Sequence, residues 1–125
     1  MTPLTVALVG LFGALGSLAR LGVALGIQRA LGRPFPFGTL AVNLLGSFAI
    51  GLAMVALPAR GASSRVVLPV VAGFLGGFTT YSAFAWETWS QLESRETWPS
   101  AAAYVAVTVL GCLAACAAGA LLARK

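Results

Sequence analysis

Acidic side chains are the scarcest feature of this 125-residue chain. There are three in all, each a glutamate between residues 87 and 96, and there is no histidine. Without histidine a Ser-His-Asp triad is excluded, and two cysteines alone leave no credible ligand set for zinc. Cys112 and Cys116 stand four apart, as two small packing residues of one helix would, and predict neither a disulfide nor a metal pair. Charged residues of both signs make up 9% of the chain, against about 25% in an ordinary soluble domain. The net charge of +5 comes with no basic run and no stacking surface, so it does not point to nucleic acid. Guanidiniums that flank membrane spans and attract anionic headgroups account for it. No Lys or Arg precedes the first apolar run, as a signal peptide would require. Although Ser17-Leu18-Ala19 resembles a cleavage site, we expect a retained span.

The charges gather at 29–33, 60–65, 87–96 and 124–125. Between them lie four apolar runs, each long enough for the ~20 residues of a spanning helix. The expectation is a single all-α transmembrane domain over residues 1–125, with helices at about 4–27, 37–57, 66–93 and 98–123. Trp86, Trp89 and Trp98 read as one interfacial aromatic belt.

The third run is unlike the others. Its centre carries Gly76 and Gly77 and then Thr79, Thr80, Tyr81 and Ser82, where a plain span would have Leu or Val. Paired glycines loosen a helix, each costing roughly 1 kcal/mol relative to Ala. Hydroxyls can re-satisfy the backbone groups that a break releases. At 1.5 Å per residue Gly76 falls about 15 Å beyond Arg65, near the middle of a bilayer. We therefore expect the third helix to break there, beside a binding or conduction site. The competing reading is a glycine-rich helix crossing whose hydroxyls bond back to their own helix.

Other polar residues recur at helical spacing. Thr39, Asn43 and Ser47 share one face of the second helix. Asn43 either holds the bundle through an interhelical hydrogen bond or offers its NH₂ to something that moves past. On the fourth helix Tyr104, Thr108 and Cys112 form a polar stripe beside a small-residue stripe of Gly111, Ala115 and Gly119. One reads as a lining and the other as a packing seam. On the first helix Gly22 and Gly26 form a GxxxG pair that predicts close helix approach. Arg20 near the far end of that span is either a snorkelling side chain or a fixed positive charge at a vestibule.

No acidic side chain lies in the middle of any span, and Glu87 sits just outside, near the aromatic belt. A cation pathway ordinarily carries an intramembrane carboxylate. Hydroxyl and amide donors with aromatic edges, which carry partial positive charge, suit a small anion better. The flanks are nearly balanced. Arg60, Arg65, Arg124 and Lys125 lie on the side of the termini; Arg29, Arg33 and Arg95 lie on the other, with Arg20 near its edge. Such a chain has no firm orientation by the positive-inside rule. It can insert both ways and pair with its inverted copy as an antiparallel homodimer.

Three segments together, GALGSLAR at 13–20, FGTLAVNLLGSF at 37–48 and GFLGGFTTYSAF at 73–84, resemble the Fluc/CrcB fluoride channels. The resemblance covers the chain in length, span count and order. It implies a dual-topology antiparallel homodimer in a bacterial inner membrane, with two pores that carry fluoride passively out of the cytoplasm. It also implies that Asn43 is the pore asparagine and that Tyr81 and Phe84 are the rings that meet fluoride. Tyr104, Thr108 and Cys112 would form a polar track, joined by Thr80 and Ser82 from the break, with Thr39 nearby. Arg20 and Glu87 would be vestibule charges. A structural sodium at the dimer centre would be held by backbone carbonyls at Gly76 and Thr79. Two positions depart from the family's habit: Tyr81 where Phe is usual, and Cys112 where a hydroxyl is usual. The rival reading is a small dual-topology multidrug exporter, which would need a carboxylate in helix one. A structural assembly subunit would explain the glycines but not the aligned polar residues. A membrane enzyme would need a nucleophile and base that are not visible.

Overall fold

The computed structural model describes residues 1–32 and 34–125; the flanking charge expected at Arg33 lies outside the described residues. The described residues form helices α1 (Pro3–Leu31), α2 (Phe37–Ala59), α3 (Ser64–Leu68), α4 (Gly76–Phe78), α5 (Tyr81–Leu92) and α6 (Trp98–Leu122), with a π-helical segment at Pro69–Leu75 joining α3 to α4. Taken as spans, Pro3–Leu31, Phe37–Ala59, Ser64–Leu92 and Trp98–Leu122 are each long and apolar enough to cross a membrane.

Local chemistry sets the ends. The Thr2 hydroxyl accepts the Thr5 N–H at 3.2 Å, and Pro3 occupies a first-turn position whose missing N–H costs nothing. At the other end Gly32 adopts φ 57° and returns its N–H to the Gln28 carbonyl, a left-handed stop that suits a residue without Cβ. The first helix thus runs past Ile27, to Leu31. Its length of about 43 Å exceeds a ~30 Å hydrocarbon layer. The π segment begins at Pro69, which lacks the N–H of a normal helical bond and crowds the turn before it; a wider turn relieves that crowding.

Two backbone-on-backbone seams hold the bundle. In the first, α1 lies on the π segment and α4. A Cβ at Gly16 would collide with the Phe74 carbonyl, and one at Gly77 with the Gly13 carbonyl. The second joins α2 to α6, where Gly51 faces the Cys116 carbonyl and Gly119 faces the Phe48 carbonyl. Without a hydrophobic force between helices in lipid, such close approach supplies the dispersion contact that binds them. The stripe containing Gly119 is therefore a packing seam. The GxxxG pair is not: Gly22 and Gly26 have nothing within reach of a Cβ, so the close approach expected there is absent from the described residues. The reason is that α2 descends past Ala24, where Gly38 meets the α1 backbone, and leaves the Gly22–Gly26 face uncovered.

The third span does break, but not at the paired glycines. Gly76 and Gly77 stay helical; the backbone becomes extended at Thr79 (φ −83°, ψ 159°) and Thr80 (φ −149°, ψ 117°). Gly77 serves the α1 seam, while Gly76 is exposed. The break is made by a side chain from α2.

Candidate functional site

Asn43 makes that break. It is 8% exposed, and both ends of its amide bond the main chain of Thr80: Nδ2 donates to the Thr80 carbonyl at 3.0 Å, and Oδ1 accepts the Thr80 N–H at 2.8 Å. In a continuous helix the Thr80 N–H would go to the Gly76 carbonyl, four residues back. The side chain of Thr80 completes the exchange, its hydroxyl accepting the Ala83 N–H at 3.2 Å as the N-cap of α5. That N–H would otherwise have gone to the Thr79 carbonyl. The two N–H groups a continuous helix would send to Gly76 and Thr79 are thus both diverted, to Asn43 and to the Thr80 hydroxyl. Of the two uses considered for Asn43, the interhelical bond is made, and one of its two Nδ2 protons stays uncommitted.

Around the break lies a cavity of about 340 Å³, lined by Asn43, Thr80, Tyr81, Phe84, Thr108 and Cys112 among others. Ser47 and Thr79 also line it. Thr108 is 5% exposed and its hydroxyl has no hydrogen-bond partner among the described residues, although a helical threonine commonly bonds back to its own helix. Ser82 stands beside the break with its hydroxyl 3.4 Å from that of Thr80. Tyr81 is 80% exposed at the rim of the cavity, its ring tilted against Phe84 with centroids 5.6 Å apart.

The aromatic contacts continue inward. Phe84 meets Tyr104 at 5.2 Å, and Phe35 meets Tyr104 edge-on at 5.4 Å and 81°. Phe35 also lies 4.6 Å from Phe37. Phe35 went unnoticed in the sequence; the only signal was aromatics alternating with prolines at 34–37.

Glu87 is tied in more closely than a vestibule charge would be. Thr39 donates to one carboxylate oxygen at 2.6 Å and Tyr104 to the other at 2.7 Å, so one carboxylate joins α2, α5 and α6. Hydrogen bonds to an ionised acceptor are about twice as strong as neutral ones. Thr39 and Tyr104, from two separate polar stripes, thus meet at Glu87 in one cluster. Glu87 itself lines smaller pockets toward the 34–36 turn and not the cavity at the break.

Arg20 stands apart. It lines a second cavity of about 400 Å³ with Ser17, Thr39, Val42 and Thr80, and its Nε is buried without a partner among the described residues. Thr39 and Thr80 line both the Arg20 side and an Asn43 or Glu87 side of the α2–α5 contact. Gly76 is exposed and Thr79 half-buried; the Thr79 hydroxyl donates to the Leu75 carbonyl at 3.0 Å, which leaves the Thr79 carbonyl out of that bond. Both cysteines are free. Cys112 lines the cavity; the Cys116 carbonyl packs on Gly51.

The family profile described as CrcB-like protein, Camphor Resistance (CrcB), matches residues 7–120. The chain belongs to the CrcB family. Relatives match over nearly their whole length. A protein of Geobacter sulfurreducens named fluoride-specific ion channel FluC is 44% identical over 122 residues, 97% of this chain and 98% of the relative. A protein of the same name from Anaeromyxobacter dehalogenans is 47% identical over 118 residues, covering 94% and 93%. One from Sorangium cellulosum is 41% identical over 118 residues, covering 94% and 92%. Within this CrcB chain the matched region takes in most or all of every span and the residues lining both of these cavities. With four apolar spans and this family, the protein is a multi-pass membrane protein.

Proposed function

We infer that this chain is a fluoride-selective channel, not an enzyme, that lets fluoride leave the bacterial cytoplasm passively and so protects the cell from it. Relatives named for that activity align along almost the entire chain. The observation that carries the reading is the cavity at the break. It joins an uncommitted amide proton of Asn43, an unpaired buried hydroxyl of Thr108 and the ring of Phe84, with no carboxylate on its wall. Fluoride is small and strongly hydrated, so a narrow path must replace its water with closely spaced donors. Asn43, Thr80, Ser82 and Thr108 supply N–H and O–H groups, and the ring edges of Phe84 and Tyr81 add weaker positive potential. Thr39 and Tyr104 direct their protons to Glu87, which holds the track in shape. Arg20 lends positive charge to the adjoining cavity. Chloride is larger and gains less from donors set this close.

The working form we propose is an antiparallel homodimer in which the break sits at mid-bilayer. The balanced flanks support dual insertion, and the uncovered Gly22–Gly26 face and the exposed Tyr81 leave room for a second copy. A structural sodium fits the break. The carbonyls of Gly76 and Thr79 lose their helical N–H partners to Asn43 and the Thr80 hydroxyl, and hard oxygen donors from two inverted copies can surround a monovalent cation. Bound there, it would supply a fixed positive charge that favours anions nearby. The multidrug-exporter reading is not favoured, since α1 carries no carboxylate.

The test is efflux from proteoliposomes loaded with fluoride or chloride. Rapid fluoride release with no chloride release is expected; equal rates would overturn selectivity. A C-terminal reporter should show both orientations in one cell population. Adding lysines after Lys125 should depress activity until an oppositely biased copy is co-expressed. Full activity from one forced orientation would sink the antiparallel dimer. Unchanged fluoride flux and dimer content in sodium-free medium would count against the sodium.

A further inference from the structure

We propose that Cys112 is a soft-metal modification site whose occupation shuts this pathway. Where it concerns flux, the inference rests on the channel reading. Cys112 is a free thiol on the wall of the cavity at the break. One turn before it on the same face of α6 stands Thr108, 5% exposed, lining the same cavity, with a buried hydroxyl that has no partner among the described residues. Asn43 contributes an uncommitted amide proton, and Phe84, 7% exposed, an apolar wall. The thiol therefore faces a space with unmet polar capacity, unlike a cysteine packed inert among apolar neighbours. Cys116, one turn later, does not line the cavity, and its backbone packs on Gly51.

Soft thiolates select soft metals over the hard cations that oxygen ligands prefer. A neutral mercuric halide needs no charge stabilisation to enter an apolar-walled cavity. In the step with mercuric chloride, the Cys112 S–H bond breaks and its proton passes to water. A sulfur–mercury bond forms while one mercury–chlorine bond breaks and chloride leaves, so the protein carries S–Hg–Cl and no oxidation state changes. The second chloride remains on mercury beside the Thr108 hydroxyl and the Asn43 amide, two donors it can engage. The adduct then occupies the donors that the anion would use.

The experiment treats the reconstituted full-length protein with mercuric chloride and reads two signals. Mass spectrometry of the treated protein locates the adduct, and fluoride efflux is compared with the same preparation untreated. Expected are an adduct at Cys112, loss of most of the flux, and recovery of both on adding excess dithiothreitol. Cys116→Ser should be inhibited as the parent is. Cys112→Ser, compared with its own untreated flux, should keep that flux under treatment and take up no mercury at that position. No adduct at Cys112, or an adduct there with undiminished flux, overturns the proposal. Inhibition that persists in Cys112→Ser overturns it too. Untreated protein without fluoride flux would refute the channel reading, and the adduct map would still decide whether Cys112 is the metal site.

Discussion

The two glycine seams and the break obey opposite rules, although the third span and α2 take part in both. In the seams the missing side chain matters: Gly16, Gly77, Gly51 and Gly119 let one backbone touch another. At the break and in the Glu87 cluster beyond it, the contacts are side chains capturing a main-chain group or a second side chain, as Asn43 does with Thr80 and Glu87 with Thr39 and Tyr104. The seams have one solution, set by sterics. The break has spare donors, at Asn43 and Thr108, and spare donors are what an ion can use. Small residues thus build the frame, and polar residues at the break supply the donors that the proposed pathway uses.

Variants can pull these two regions apart. The largest effect should come from Gly16→Val, whose added atoms meet the Phe74 carbonyl and the Phe78 amide. Overpacking typically costs about 1–3 kcal/mol and more when backbone is the obstacle. The yield of monodisperse protein in detergent should collapse; normal yield would mean the α1 seam does not hold the bundle.

Asn43→Ala should follow. It strands the Thr80 N–H and carbonyl, each worth roughly 1–3 kcal/mol when buried unpaired. Both stability to thermal denaturation and fluoride flux should drop, whereas Asn43→Asp should lower flux further per folded protein because a carboxylate repels the anion. Equal flux in Asn43→Asp and the parent would remove Asn43 from the pathway.

Phe84→Ile probes chemistry with little structural cost. It keeps apolar bulk and removes the ring edge toward Tyr81 and Tyr104. Fluoride efflux should be nearly abolished at matched amounts of folded protein; near-normal flux there would defeat the aromatic part of the mechanism. Tyr81→Phe should be mild, since the hydroxyl lies on an exposed ring at the cavity rim and has no bonded partner among the described residues. Substantial flux should remain, and its loss would assign the Tyr81 hydroxyl a direct role. The smallest effect should be Gly10→Ala, on the same helix as Gly16 but with nothing within reach of its Cβ. Yield and flux should match the parent, and a collapse like that of Gly16→Val would erase the distinction between seam and open face.

What the sequence determined by itself is whatever rests on composition and period. Scarce charge and four apolar runs dictate four spans, because buried backbone in lipid must be satisfied within helices. Spacing by four put Thr39 with Asn43, and Tyr104 with Thr108 and Cys112, on shared faces. The run at 73–84 marked where a helix would fail, and three segments marked the family. Only the tertiary structure decided which partner each polar group takes. Gly76 and Gly77 read as the weak point, yet both remain helical, with Gly77 packed on the α1 backbone at Gly13, and the chain opens at Thr79–Thr80, where Asn43 reaches it from α2. Glu87 read as a peripheral charge, yet it joins three helices, since its partners lie 48 residues before and 17 after it in the chain. Periodicity reports one helix at a time. A hydrogen bond between helices depends on their relative rotation and depth, which the glycine seams set.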